Sequence, residues 1–193
     1  MFRKMKKGTK SMFYEIEIAG VKRDLKLFKL NEELSIAGFV MFGDVEITEA
    51  SAKALLDEAP EFDYIVTAES KGIPLAYEMS RQSGKEYVVA RKGAKVYMEN
   101  IIETDVDSIT TKHRQKLCFG QAEADKLNGK RVLVVDDVIS TGASLESIEE
   151  LVRKVNGEIV AKMAVLAEGD AQKREDIITL ADLPLFTTDG KPL

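Results

Sequence analysis

RVLVVDDVISTGASLES, residues 131–147, is the stretch from which the rest of the chain is read. Its apolar start, Val132-Leu133-Val134-Val135, follows Asn128-Gly129 and is β-branched at three of four positions. A run this short, apolar without alternation, fits a strand buried on both faces, as in a parallel sheet. Two carboxylates, Asp136 and Asp137, stand at its carboxyl end. Ser140, Thr141, Gly142, Ala143 and Ser144 then lead into a helical pattern from about Leu145 to Val155. A small, hydroxyl-bearing loop that opens a helix can hold a phosphate with its backbone amides, its hydroxyls and the positive end of the helix dipole. Two acids beside such a cradle would repel a bare anion. A ribose phosphate removes the conflict, because the carboxylates accept hydrogen bonds from the ring hydroxyls while the loop holds the phosphate. A metal-binding Asp pair on an ordinary α/β loop is the competing reading. No Gly-Lys-Ser/Thr follows, and no G-x-G-x-x-G is present, so P-loop and dinucleotide fingerprints are excluded.

Working outward, two more strand–loop units precede this one. Thr48 is placed to cap a helix running to about Ala59, with Ala52, Leu55, Leu56 and Ala59 at helical spacing and Pro60 closing it. Residues 63–68 read as a buried strand, followed by the loop Glu69-Ser70-Lys71-Gly72 and a helix that Ile73-Pro74 opens and that runs to about Ser83. Residues 86–91 form a third strand, with Arg91, Lys92 and Lys95 clustered after it. Strands alternating with helices predict an α/β fold: a central parallel sheet flanked by helices. Tyr14, Ile16 and Ile18 alternate with Glu15 and Glu17, Ala19-Gly20 offers a turn, and Leu25 and Leu27 resume the alternation; this is an antiparallel hairpin outside the main sheet. In the apolar stretch 35–43, Phe39 and Phe42 are candidates to stack on a planar base, with core packing as their alternative role. Past the central stretch, residues 160–166 read as another core strand with Glu168-Gly169-Asp170 at its end, 171–180 as a short helix and 183–186 as a terminal strand.

Composition narrows the function classes. The 193 residues suit one domain, and 45% hydrophobic with 32% charged residues is ordinary for a globular protein. A net charge of −5 gives no general attraction to nucleic acid or acidic membranes, so an anionic substrate must be held by local features. The single cysteine, Cys118, allows no internal disulfide, and no Cys/His cluster offers a zinc site. No apolar run has transmembrane length and no signal-peptide core is seen, which points to the cytoplasm. Residues 1–12 are a basic tail, and Met12 is a second candidate start.

DDVISTGAS resembles the signature with which type I phosphoribosyltransferases bind 5-phosphoribosyl 1-pyrophosphate (PRPP). The resemblance spans roughly residues 48–166, with 13–47 as an N-terminal hood region and 167–193 as a C-terminal segment of a single domain. It implies transfer of ribose 5-phosphate from PRPP to a nitrogenous base, with Mg²⁺ as cofactor, held mainly through PRPP and in reach of Asp136 and Asp137. Asp136 and Asp137 would orient the ribose, and Ser140, Thr141, Gly142, Ala143 and Ser144 would anchor the 5′-phosphate. Glu69, Ser70, Lys71 and Gly72 resemble the family's pyrophosphate loop, whose strained cis peptide would fall at Glu69–Ser70. Arg91, Lys92 and Lys95 would add positive charge for the same pyrophosphate, although Gly93 stands where adenine-type members usually have proline. The polar stretch between Tyr97 and Phe119, which holds the single histidine, His113, matches a loop that closes over substrates. Ser140 replaces the acid that hypoxanthine/guanine-type members carry, and the spacing is most like the adenine or xanthine type. The resemblance therefore implies a purine base, adenine favoured, in nucleotide salvage by a cytoplasmic homodimer. Xanthine- or orotate-type transfer and a PRPP-sensing regulator are the alternatives; neither nucleic acid nor membrane is an expected partner.

Overall fold

The apolar run at 132–135 lies in the middle of a parallel sheet. Strand β8 (Arg131–Ile139) sits between β9 (Glu158–Glu168) and β4 (Tyr64–Ala68), with β10 (Ile178–Leu183) outside β9 and β5 (Glu86–Ala90) outside β4. All four pairings are parallel. The computed structural model describes residues 12–104 and 116–193.

Successive residues of a strand point to opposite faces, and both faces here are covered. Leu133 and Val135 join one apolar cluster with Leu55, Leu75 and Met79, whereas Val132 and Val134 join another with Leu127, Ile148 and Leu151. The first face carries α1 (Val45–Glu58) and α2 (Ile73–Ser83), the second α3 (Gln121–Leu127) and α4 (Ala143–Lys154). Burial of each such side chain contributes about 1.5–3 kcal/mol. Burial on both faces is why the run shows no alternation.

Helix α1 begins earlier than Thr48 predicts. Asp44 is its cap and accepts the Ile47 amide at 3.3 Å, while the Thr48 hydroxyl donates to the Asp44 carbonyl at 2.7 Å. Arg23 grips both Asp44 oxygens, at 2.7 and 2.8 Å, so the cap is fixed by a strand remote in sequence. Helix α3 was not foreseen: its seven residues bury only Ala124 and Leu127, too few for a visible period. Its start is secured by Glu123, which accepts the Gly120 amide at 2.9 Å.

The hairpin forms as read. Strands β1 (Phe13–Ile18) and β2 (Val21–Lys29) turn through Ala19 and Gly20, both at positive φ, and β3 (Leu34–Ala37) continues the antiparallel sheet. Ile16, Ile18, Leu25 and Leu27 bury against the α1/α2 cluster. The carboxyl-terminal readings need correcting. A 3-10 helix ends at Lys173, residues 174–177 are irregular, and β10 begins at Ile178, inside the expected 171–180 helix. Ile177-Ile178-Thr179-Leu180 is rich in β-branched residues, which suit a pleated surface, and the available edge of β9 takes it up. Phe186 and Thr187 then form β11, which pairs with β3, so the tail closes both sheets. Short strands β6 (Ile102–Glu103) and β7 (Cys118–Phe119) pair antiparallel on either side of residues 105–115. The expectations for the basic tail before Met12, for His113 and for most of the closing loop lie outside the described residues.

The connections fix where a ligand can sit. From β4 the chain passes through α2 to β5 on one side, and from β8 through α4 to β9 on the other. The direction of winding reverses between β4 and β8, and the crevice beyond their carboxyl ends is where open α/β sheets bind ligands.

Candidate active site

Two loops leave that crevice. From β4 comes Glu69-Ser70-Lys71-Gly72, with a cis peptide between Glu69 and Ser70 at the position the resemblance implies. From β8 come Asp136, Asp137 and the run to Ser144. A cavity of about 270 Å³ is lined by Glu69, Ser70, Lys71, Lys92, Asp136, Asp137 and Ser144. A tighter hollow of about 50 Å³ continues from Asp136 along Val138 to Leu145. Residues far apart in sequence thus face one space. A roomier hollow of about 360 Å³ lies at the amino ends of β4 and β5, between Lys53, Phe62 and Lys85, but gathers no comparable chemistry.

Gly72 lets the two loops meet. A Cβ there would come 2.3 Å from the Thr67 hydroxyl, closer than atoms can pack, and a tight 3.0 Å from Oδ1 of Asp136. The same glycine accepts the Ala76 amide at 2.9 Å and so starts α2, whose Pro74 sits in the first turn.

The acid pair is held by burial. Asp137 is 4% exposed, its amide donates to Oδ1 of Asp136 at 2.9 Å, and its own Oδ2 has no hydrogen-bond partner among the described residues. Burial, then the charge of Asp137, pushes the Asp136 carboxyl well above the ordinary carboxylate range; burial also raises Asp137. Glu168, at the end of β9, is raised by burial as well. Lys71 opposes the shift in all three, so one exposed ammonium faces three carboxylates. Glu168 was missed as a site residue. Its signal was its position at the carboxyl end of a core strand, where open α/β sheets place their ligands.

The basic cluster is organised by Glu69. Its carboxylate accepts the Lys92 amide at 3.0 Å and lies 3.5 Å from Nε of Arg91. The Lys92 amide, with Arg91, Lys95 and Lys92 adding positive charge, holds it below the usual range. The Glu69 amide in turn donates to the Ala90 carbonyl at 2.9 Å, which ties the two loops at their base.

In the loop opening α4, Ser140 and Thr141 are exposed, Gly142 is buried, and Ala143 and Ser144 are half-buried. Gly142 takes φ +79° and caps the helix, its carbonyl accepting the Glu146 amide at 2.9 Å. Phe39 belongs to the α1/α2 core cluster, whereas Phe42 is 54% exposed; neither lines the crevice cavity.

The family model of the phosphoribosyl transferase domain matches residues 44–185. The chain belongs to that family. It is an enzyme of the phosphoribosyltransferase kind, and the match runs from the α1 cap past β10. Hypoxanthine/guanine phosphoribosyltransferase of Methanococcus voltae is 31% identical over 146 residues, covering 76% of this chain and 74% of that one. Adenine phosphoribosyltransferase of Thermosipho africanus is 32% identical over 130 residues, covering 62% and 71%. Among solved structures, adenine phosphoribosyltransferase from Thermoanaerobacter pseudethanolicus superposes with a TM-score of 0.61 at 21% identity, over 89% of this chain and 95% of that one. At that identity the likeness establishes the shared type I phosphoribosyltransferase fold: a parallel sheet with flanking helices and an appended hood.

Proposed function

We propose that this phosphoribosyltransferase moves ribose 5-phosphate from PRPP to a purine base, adenine favoured, and releases pyrophosphate. The observation that carries the reading is the crevice between β4 and β8, where a phosphate-type loop, a buried acid pair and a basic loop line one continuous space. Residues Ser140 to Ser144 anchor the 5′-phosphate on the amino end of α4. Asp136 and Asp137 accept hydrogen bonds from the ribose hydroxyls, and their charge favours positive charge developing at C1′. Lys71, Arg91, Lys92 and Lys95 gather the leaving pyrophosphate, with the Ser70 and Gly72 backbone beside it. Glu69 acts through Arg91 and Lys92, which its carboxylate orients. Binding energy from the phosphate, remote from C1′, fixes the sugar for in-line attack by the base.

Mg²⁺ belongs to the same proposal. Asp136 and Asp137 stand side by side, and the buried Oδ2 of Asp137 lacks a partner, which fits a cation shared with substrate oxygens. Among the described residues no cluster of three or more His, Cys, Asp or Glu could hold a metal by itself, which supports holding through PRPP. When bound, the ion supplies charge neutralisation for the leaving pyrophosphate.

A second base has specific support. The Methanococcus voltae relative is a hypoxanthine/guanine enzyme, while Ser140 supplies no carboxylate for proton transfer to such a purine. Pyrophosphate release from PRPP and Mg²⁺ with adenine, hypoxanthine, guanine, xanthine and orotate decides the matter. Adenine giving the highest kcat/KM is expected; release with orotate alone would overturn the purine assignment. Action as a cytoplasmic homodimer completes the proposal. Exposed Phe42, Val45 and Tyr77 offer apolar surface for pairing, with Val45 and Tyr77 lining one hollow. Sedimentation as a monomer at micromolar concentration would remove the dimer.

A further inference from the structure

One cation outside the sequence motif faces the phosphate loop. Arg174 follows the 3-10 helix Gly169–Lys173 and is 28% exposed. Its Nε and Nη2 donate to Asp176 at 2.9 and 2.7 Å. Asp176 also pairs with Lys162 of β9, whose ammonium lies 3.2 Å from Glu149 of α4. The guanidinium is thus clasped on two arms and tied back to the helix whose amino end it covers. The third arm, Nη1, is turned to the loop. A Cβ on Gly142 would come 2.6 Å from Nη1, and among the described residues, its chain neighbours aside, nothing but Arg174 stands within 4 Å of that position.

A cation here runs against the dipole of α4, which favours anions at its amino end. Glu146 and Glu149 lie near enough to act on the guanidinium and offset part of that cost. Glu149 is already shared with Lys162 and Arg153. An anion on the loop would reverse the sign of the conflict, since it would be drawn by the helix end and by Nη1 together. Arginine suits the task better than lysine, because a planar fork can keep a carboxylate on two nitrogens and offer the third elsewhere.

We infer that Arg174 is a further binding residue for the phosphomonoester: Nη1 donates to a phosphate seated on residues 140–144, with Asp176 and Lys162 fixing the guanidinium for it. The inference rests on the reading of that loop as the 5′-phosphate cradle. Titration of wild type and Arg174→Gln with ribose 5-phosphate, and separately with pyrophosphate, tests it. Arg174→Gln is expected to weaken ribose 5-phosphate about ten-fold and to leave pyrophosphate within about two-fold. Unchanged ribose 5-phosphate affinity overturns the role of Arg174 alone. Equal loss for both ligands with a lowered thermal midpoint also overturns it, because that is the mark of a structural clip. A wild type that binds pyrophosphate but no ribose 5-phosphate overturns the cradle reading itself. Should the glutamine variant not fold, Arg174→Lys carries the same comparison. It keeps the charge and loses the clasp, so ribose 5-phosphate should weaken about three-fold with pyrophosphate unchanged; equal loss for both ligands would again overturn the inference.

Discussion

The two ends of the central strands hold carboxylates under opposite conditions. At the amino ends, Asp63 just before β4 takes the Arg131 amide at 2.9 Å and its guanidinium at 2.9 and 3.2 Å, at the start of β8. Those hydrogen bonds hold the Asp63 carboxyl far below its ordinary range. At the carboxyl ends, Asp137 is buried and Asp136 half-buried beside it; Lys71 and a few hydrogen bonds oppose the effect of burial without cancelling it, and both are raised. One end satisfies its charge and so joins the strands; the other leaves it unsatisfied, as a site that awaits a ligand does. The contrast can be broken from either end.

The largest effect is expected from Asp136→Asn combined with Asp137→Asn. Hydrogen bonds to charged groups contribute about 1.5–3 kcal/mol each, so losing two weakens PRPP by about 100-fold or more. The ligand-free protein should not lose stability. A carboxyl raised in the folded state binds more protons there than in the unfolded chain, so stability falls as pH climbs from the ordinary carboxylate range through the raised one. The double variant should therefore melt at or above the wild-type temperature at pH 8 and show a flatter stability profile between pH 4 and pH 8. A folded double variant with wild-type PRPP affinity would end the ribose assignment.

Next comes Gly72→Ala. Its Cβ would meet Thr67 and Asp136, forcing the crevice apart at a cost of about 1–3 kcal/mol. Turnover should fall about 30-fold. Gly84→Ala is the control: φ +70° strains it by about 1 kcal/mol, but among the described residues nothing lies within 4 Å of its Cβ, and it sits just before the amino end of β5, opposite the crevice, so stability should drop without loss of turnover. Equal turnover losses in the two variants would show that Gly72 matters only to folding.

Lys71→Ala and Arg91→Ala should each lower kcat/KM about ten-fold. They differ in pH dependence. Removing Lys71 takes away the cation that lowers Asp136, Asp137 and Glu168, so their ionisation, and the acidic limb of the activity profile, should move to higher pH. Arg91→Ala should leave that limb in place. Identical profiles would place Lys71 in solvent rather than in the crevice.

How much of this was legible in the sequence depended on contiguity. The β8–α4 stretch carries strand, acid pair, loop and helix start in consecutive residues, so its chemistry could be read without knowing the fold. The Glu69–Gly72 loop was readable because it repeats the strand–loop–helix order. Glu168 and Arg174 were not, since the closeness of Glu168 to Lys71 and of Arg174 to Gly142 comes from the register of β9 and the path after it, which no local pattern encodes. The Asp44 cap was hidden for the same reason: Thr48 is an equally good capping residue in isolation, and the choice falls to Arg23. The first half of β10 reads as the end of a helix in the sequence because an edge strand buried on few positions shows neither period clearly.

The smallest effect is expected at the other end of the strands, from Asp63→Asn. A carboxyl lowered in the folded state contributes stability above its unfolded pKa, near 4, and that contribution is lost as pH falls through the folded value. Wild type should therefore lose more stability between pH 7 and pH 3 than the variant does, the reverse in sign of the acid-pair effect. The pair is about a third exposed, 40% for Arg131 and 32% for Asp63, so water screens it and the thermal midpoint at pH 7 should fall by only about 2 °C. Turnover should stay within about two-fold of wild type, because Asp63 lies at the far end of β4 from Ala68 and the crevice. Thermal melts at pH 3 and pH 7 with one activity assay are enough to check this. A large activity loss with little change in melting would mean that the amino ends of β4 and β8 help to set the geometry of the crevice, and the division between a joining end and a binding end would not hold.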